Sequence, residues 1–432
     1  MVTTAQAMKV KAGYKLTEVG VIPEDWKATP LIGLAAIQHG YGFQSQYFKP
    51  FGKYRLTTPG HFYETGGFRD MGEKQKFYEG PLPEGYLLSE GDLIVAMTEQ
   101  ADGLLGSAAI VPISNTYLHN QRLGKVKVLS PNLSTGFLYR VFNSNSYRTK
   151  VRETAVGTKV KHTSPSKLLN IPIPLPPSKA EQEAISTVLS DTDALIECLE
   201  NLIAKKRAIK QATMQQLLTG KVRLPGFSGG WKTTKLGDIG ICLRGVSYNG
   251  DNDLSLYDTN NTIRLLRSNN IQNTHIIKSD LQFVTSARVS IQQVLQENDI
   301  LICMANGSKE LVGKAGIFRV DDHYSYTFGA FMGCFRTNWV AHPGFVFFLF
   351  QTNRYRNYIA NLLAGSSINN LKPSDIESIN FPFPKFEEQQ AIAIVLSDMD
   401  AEITALERKR DKVRALKQGM MQELLTGKTR LL

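Results

Sequence analysis

Met214-Gln215-Gln216-Leu217-Leu218-Thr219-Gly220-Lys221 returns later in the chain as Met421-Gln422-Glu423-Leu424-Leu425-Thr426-Gly427-Lys428. The match runs backwards from there. Between Ala180–Leu224 and Glu387–Leu431, about 27 of 45 aligned positions are identical, far beyond chance. Weaker echoes extend it: Trp26-Lys27 with Trp231-Lys232, Gly91-Asp92-Leu93-Ile94 with Asn298-Asp299-Ile300-Leu301, and Tyr147-Arg148 with Tyr355-Arg356. The order is therefore globule, segment, globule, segment. The globules have diverged far more than the segments, which points to two modules doing one job on different targets.

The segments read as long helices. Ile185, Val188, Leu189, Leu195, Ile196, Leu199, Leu202, Ile203 and Ile209 recur at three- and four-residue steps, and so do Ile392, Val395, Leu396, Met399, Ile403, Leu406, Val413 and Leu416. Pro172–Pro177 and Pro382–Pro384 bar helix upstream, and Gly220 and Gly427 stand where it should stop. Roughly 38 residues of helix span nearly 60 Å, a length that needs a partner for its apolar stripe. Acids (Glu181, Glu183, Asp191, Asp193, Glu197, Glu200) precede bases (Lys205, Lys206, Arg207, Lys210) in the first helix. Asp398, Asp400 and Glu402 precede the run from Arg408 to Lys417 in the second. Antiparallel pairing sets acid against base, whereas parallel pairing opposes like charges.

The net charge of +11 sits wholly in the globules: +8 over Met1–Lys179 and +3 over Pro225–Phe386, with both segments neutral. A basic surface on two related domains suits a polyanion reader. Leu93-Ile94-Val95 and Ile300-Leu301-Ile302 read as buried strands, and helices are expected over Gly136–Thr154 and Phe345–Leu363. No apolar run is long enough for a membrane span and no export signal is read at Met1–Lys15, so a cytoplasmic protein is expected. Cys198, Cys242, Cys303 and Cys334 are expected to be buried free thiols.

Motifs for chemistry are missing. Leu175-Pro176-Pro177-Ser178 lacks both the acceptor and the aromatic of an amino-methyltransferase loop. Gly427-Lys428-Thr429 lacks the upstream Gly of a phosphate-binding loop, and no histidine spacing suits a metal. Neither catalytic nor metal-binding residues are assigned. A self-contained methyltransferase or nuclease with an unrecognised site, and a scaffold that binds no DNA, stay open as alternatives.

The whole chain resembles a type I restriction-modification specificity subunit. The resemblance rests on Gly20-Val21-Ile22-Pro23-Glu24-Asp25-Trp26, Gly157-Thr158-Lys159-Val160, Ile171-Pro172-Ile173-Pro174-Leu175-Pro176-Pro177, Glu181-Gln182 and the duplicated Leu-Leu-Thr-Gly-Lys ends. It implies an α+β fold, with two similar target-recognition domains separated by two long helices forming an antiparallel coiled coil. The expected divisions are a tail at 1–20, the domains at 21–178 and 225–385, and helical segments at 179–224 and 386–432. Each domain would read half of a split site on double-stranded DNA. Two modification subunits and restriction subunits would be the protein partners. No cofactor is expected in this chain; S-adenosylmethionine and ATP with Mg2+ would sit in those partners.

Candidate DNA contacts rest on residue chemistry. Tyr41-Gly42-Phe43-Gln44-Ser45 is a polar, aromatic loop fit to set Gln44 on an adenine edge. Lys159, Lys161 and His162 would hold phosphates. The second copy, Gly365-Ser366-Ser367-Ile368-Asn369-Asn370, lacks those lysines, so Arg264 and Arg267 are the expected phosphate contacts, beside Ser268, Asn269 and Asn270. Leu199, Ile203, Leu217, Leu406, Val413 and Leu424 are the expected partner-binding positions on the helices.

If the helices act as a ruler, inserting four residues after Gln216 lengthens the first by about 6 Å and rotates the downstream domain by roughly 40°. One extra base pair supplies ~3.4 Å and roughly 34–36°. Methylation mapping of this variant with its modification subunit should show the spacer between half-sites longer by one or two base pairs, with the recognised bases unchanged. An unchanged spacer at full activity rejects the ruler.

Overall fold

The proline-bounded, glycine-ended segments fold as helices of 39 residues each, Lys179–Leu217 and Phe386–Leu424. The computed structural model describes residues 10–99, 103–365 and 369–431. Gly220 and Gly427 take φ of +69° and +70°, the left-handed turn that ends both helices. The chain divides into two units, 1–199 with 409–432 and 200–408, so each unit holds one half of each helix.

Within both units the helix halves run antiparallel and pair acid with base. In the second unit Lys206 meets Glu402 (2.6 Å) and Lys210 meets Asp400 (2.5 Å), so numbers rise along one helix as they fall along the other. In the first unit Lys417 meets Asp193 (2.5 Å) and Arg430 meets Glu181. The apolar stripe turns inward. Ile185, Leu189, Leu424 and Leu425 join Trp26, Phe137 and Val141 in one core, and Met214, Leu217, Ile392 and Leu396 join Phe345 and Phe381 in the other.

Each globule carries the same pair of four-stranded sheets. In the first unit one sheet runs Ala108–Ile110, Leu93–Ala96, Leu123–Val128, Ala35–His39, all antiparallel. The other runs Tyr117–His119, Tyr54–Thr57, Phe77–Tyr78, Phe48–Lys49, its first pair parallel. The second unit repeats both orders with Ala315–Ile317, Ile300–Cys303, Met332–Thr337, Gly240–Arg244 and with Tyr326–Phe328, Thr262–Leu266, Gln282–Thr285, Leu254–Ser255. Leu93–Ala96 and Ile300–Cys303 are buried throughout.

Some expectations change. Each expected covering helix is two helices, Thr135–Phe142 with Asn145–Glu153 and Pro343–Leu349 with Asn353–Ala364. The breaks come from local capping. The hydroxyls of Ser144 and Thr352 accept from the backbone N–H of Tyr147 and Tyr355, starting a new helix in each copy. From Tyr14 the stretch assigned to a tail forms a hairpin with Gly20–Pro23, and the Tyr14 hydroxyl donates to the Gly427 carbonyl (3.3 Å). Cys198 is exposed on the first long helix, because it falls outside the apolar stripe, while the other three cysteines are buried. No helix among the described residues is long and apolar enough to cross a membrane.

His119 lies fully buried on a sheet strand, its Nε2–H donating to the Leu123 carbonyl (3.1 Å). Burial pushes its pKa down to about 4. The unfolded chain therefore takes up a proton below about pH 6.5 that the folded chain refuses until about 4, and stability falls as pH drops through that window. Phe328 occupies the equivalent strand of the second unit. Urea unfolding at pH 6.5 and 4.5 should show the acid-induced loss smaller by roughly 2 kcal/mol in His119→Phe than in the native chain. Equal losses in both would assign the imidazole no part in acid sensitivity.

Candidate nucleic-acid interface

Sheet topology gathers the candidate loops at one end of each globule. Ala35–His39 and Leu93–Ala96 are both antiparallel to Leu123–Val128, so they run the same way and their following loops leave the same edge. Gly240–Arg244 and Ile300–Cys303 flank Met332–Thr337 in the same manner.

In the first unit the loop after His39 is pinned by contact. A Cβ on Gly40 would lie 2.0 Å from the Asn120 carbonyl oxygen, so only glycine fits. Tyr41 N–H donates to His119 O (2.8 Å) and Gln121 N–H donates to Tyr41 O (2.9 Å). Phe43 is buried against Tyr78, ring centroids 4.9 Å apart, and anchors the loop. Tyr41, Gly42, Gln44 and Ser45 are exposed. The Gln46 amide donates to Gln44 Oε1 (3.1 Å), and both residues are exposed.

Beside this loop, Lys161–His162 pairs with Thr98–Glu99. Val156 and His162 exchange both backbone hydrogen bonds (3.1 and 2.8 Å), and Lys159 stands exposed at the tip of that hairpin. Gly157 is required there, since a Cβ would sit 2.1 Å from Val160 O at a φ of +105°. Lys161 lies 3.8 Å from Glu99, a buried carboxylate that accepts the N–H groups of Gly103, Leu104 and Leu105 (3.1, 2.8 and 2.7 Å). In the sequence Glu99 is one acid among many and carries no mark of this role.

In the second unit the candidate residues are tied into internal contacts. Arg264 donates to Asp258 (2.8 Å) and to the Tyr326 hydroxyl (3.1 Å). Burial opposes its charge, and those bonds more than restore it, raising the pKa. Arg267 donates to the Asp280 carbonyl (3.0 Å) and carboxylate (3.2 Å), which also accepts from Asn269 (3.0 Å). Both arginines, expected as open phosphate contacts, are ion-paired within the chain. Asn270 is buried, accepting from Arg267 N–H and donating to the Ile277 and Ser279 carbonyls (2.8 Å each), so it shapes the loop. Ser268 accepts from the Asn306 amide (3.4 Å), and Asn369 donates to Gly307 O (3.2 Å). Ser268, Asn306 and Asn369 thus gather where the first unit has Thr98–Glu99 and Lys161. Asn306-Gly307-Ser308, after the apolar run Ile300–Cys303, is a turn signal that could have marked this loop. Ser366, Ser367 and Ile368 lie outside the described residues.

Of the positions expected to bind partner subunits, Leu199, Ile203, Leu217 and Leu424 are buried within the chain and Leu406 and Val413 half-buried. The stripe that marks them from sequence is the seam that closes the fold. Among the described residues no cluster of His, Cys, Asp and Glu is arranged to hold a metal.

Residues 23–206 and 228–414 each match the type I restriction modification DNA specificity domain. The chain belongs to this family. Its two specificity domains cover both globules and most of both long helices. It is 32% identical over 198 residues to the type I restriction enzyme StySPI specificity subunit of Salmonella potsdam, a match taking in 46% of this chain and 42% of that protein. It is 24% identical to the EcoBI specificity subunit of Escherichia coli over 94% of this chain and 85% of the relative. The fold is that of the crystallised type I restriction-modification S subunit of M. genitalium (TM-score 0.59, 16% identity, 95% of this chain and 98% of that one).

If Lys159 holds phosphate and Gln44 meets a base edge, as their residue types suggest, substitutions at the two positions have different effects. In binding assays against a panel of duplexes at one salt concentration, Lys159→Ala should weaken all duplexes alike, several-fold. Gln44→Ala should change the order of preference, costing about 1–3 kcal/mol at the base it contacts. The opposite pattern would exchange the two assignments.

Proposed function

We propose that this chain is the non-catalytic, sequence-reading subunit of a type I restriction-modification complex, each specificity domain reading one half of a bipartite site on double-stranded DNA. One observation carries the reading. Two copies of one domain keep their sheets, glycine turns and helix contacts, while the loops at one sheet end differ in nearly every side chain. Tyr41, Gln44 and Lys159 stand there in one copy; Ser268, Asn306 and Asn369 stand there in the other. A reader of two different half-sites needs that division, because phosphate contacts position a protein on DNA and base contacts specify where.

The protein partners in this reading are two modification subunits, which bring S-adenosylmethionine, and restriction subunits, which bring ATP and Mg2+. They would meet the outward helix faces, where Leu195, Ile209, Ile394 and Leu416 are exposed. The complex would work in the cytoplasm. The absence of a methyltransferase loop or phosphate-binding loop in the sequence supports a chain that selects DNA and leaves the chemistry to its partners.

Expressed with its modification subunit, the chain should direct methylation to a two-part site. Replacing residues 23–174 with the same stretch of another such subunit should change one half of that site only. The purified chain alone should transfer no methyl group. Methylation mapping reads the first outcome, and a change in both halves, or methyl transfer by the pure chain, overturns the reading.

A further inference from the structure

The second sheets of the two globules present the same row of side chains with opposite electrostatic outcomes. In the first unit the register places Lys49 opposite Phe77, Phe77 opposite Arg55, and Arg55 opposite Tyr117, so these four share one face. In the second unit the row is Ser255, Phe283, Arg264 and Tyr326. Arg55 donates to the Tyr117 hydroxyl (3.3 Å) just as Arg264 donates to that of Tyr326 (3.1 Å). The aromatic–arginine geometry is kept. The acids around it are not.

In the second unit the cations of this region are taken. Arg264 pairs with Asp258 (2.8 Å), Arg267 with Asp280 (3.2 Å), Lys278 with Asp321 and Asp322, Arg288 with Asp253 (2.9 Å), and Arg319 with Glu297 (3.1 Å). In the first unit, among the described residues, Lys49, Lys53, Arg55 and Lys76 have no carboxylate partner. Lys49, Lys53 and Lys76 are exposed, with Lys53 lying over the Tyr54 ring (4.9 Å). The +8 and +3 of the two globules thus understate the difference in charge available to a ligand.

We infer that the Lys49–Phe77–Arg55–Tyr117 face of the first globule is a phosphate-backbone contact surface, and that Asp258 closes the equivalent surface of the second. This rests on the reading of the chain as a DNA-specificity subunit and adds to it a division of labour. The first domain supplies most of the salt-dependent affinity. The second reads through uncharged groups, with its arginines locked as framework. An arginine already bonded to a carboxylate releases no counterion from DNA unless that bond breaks, so it adds nothing to the salt dependence.

The test is a salt titration of the full chain on a duplex of unrelated sequence, reading the slope of log affinity against log salt concentration. Lys49→Ala and Arg55→Gln should each flatten the slope by about one phosphate, with Lys49→Ala guarding against misfolding because its side chain is exposed and unpaired. Arg264→Gln should leave the slope as it was. Asp258→Asn should steepen it by about one and tighten binding at low salt, because it frees Arg264. If Arg264→Gln flattens the slope as much as Arg55→Gln, or Lys49→Ala leaves it untouched, the surface is wrongly placed while the DNA-reading function stands. A native chain with no salt-dependent DNA binding would remove both.

Discussion

Everything in each unit hangs on one clasp, made twice. Glu181 opens the first long helix and Glu388 the second, both carboxylates almost fully buried. Each is met by an arginine just beyond the end of the opposite helix: Arg430 meets Glu181, and Arg223 meets Glu388 (2.5 Å). Each guanidinium lies over a tryptophan from the adjoining globule, Arg430 over Trp26 (5.7 Å) and Arg223 over Trp231 (5.5 Å). The carboxylates hold both arginines above their usual pKa. Removing either arginine would leave a buried carboxylate without its cation, which destabilises the fold. The next residues lock the globule to the helix. Gln182 accepts from Ser134 N–H (2.9 Å) and Gln389 from His342 N–H (2.8 Å), while their amides donate to carbonyls of the preceding loops.

The clasp explains why the segments are alike while the globules are not. A residue that bonds helix, globule and opposite helix end at once tolerates no change at any of three partners. A loop at the free end of a sheet answers only to its ligand. Glu181 and Glu388 belong to the first class, and Gly40 and Gly245 are fixed for a local reason, since a Cβ on either would lie 2.0 Å from a carbonyl oxygen. Gln44 belongs to the second.

What the sequence discloses divides along the same line. The long helices, their antiparallel sense and the two buried strands were legible because periodicity and charge order are local signals. The role of Glu181 and Gln182 was visible only as a repeated dipeptide, since their partners lie tens to hundreds of residues away. Arg264 and Arg267 looked like open donors because a sequence does not show Asp258 and Asp280 folding back onto them. The apolar stripe and its pairing within the chain were legible, whereas Leu217 and Leu424, also expected to bind partner subunits, are buried in their own chain. The helix breaks at Ser144 and Thr352 were hidden because serine and threonine cap a helix only if the backbone before them turns.

The division of the chain has a consequence for its birth on the ribosome. The second unit is one unbroken stretch, 200–408, whereas the first needs 409–432 to close over 1–199. The domain synthesised first is therefore the last to be completed. Until Leu424, Leu425 and Arg430 emerge, Trp26, Ile185 and Leu189 wait with part of their core unfilled and Glu181 without its cation. The later-made globule can finish while the earlier one is still open. A chaperone or a nearby apolar surface would find its target in the first globule during that interval.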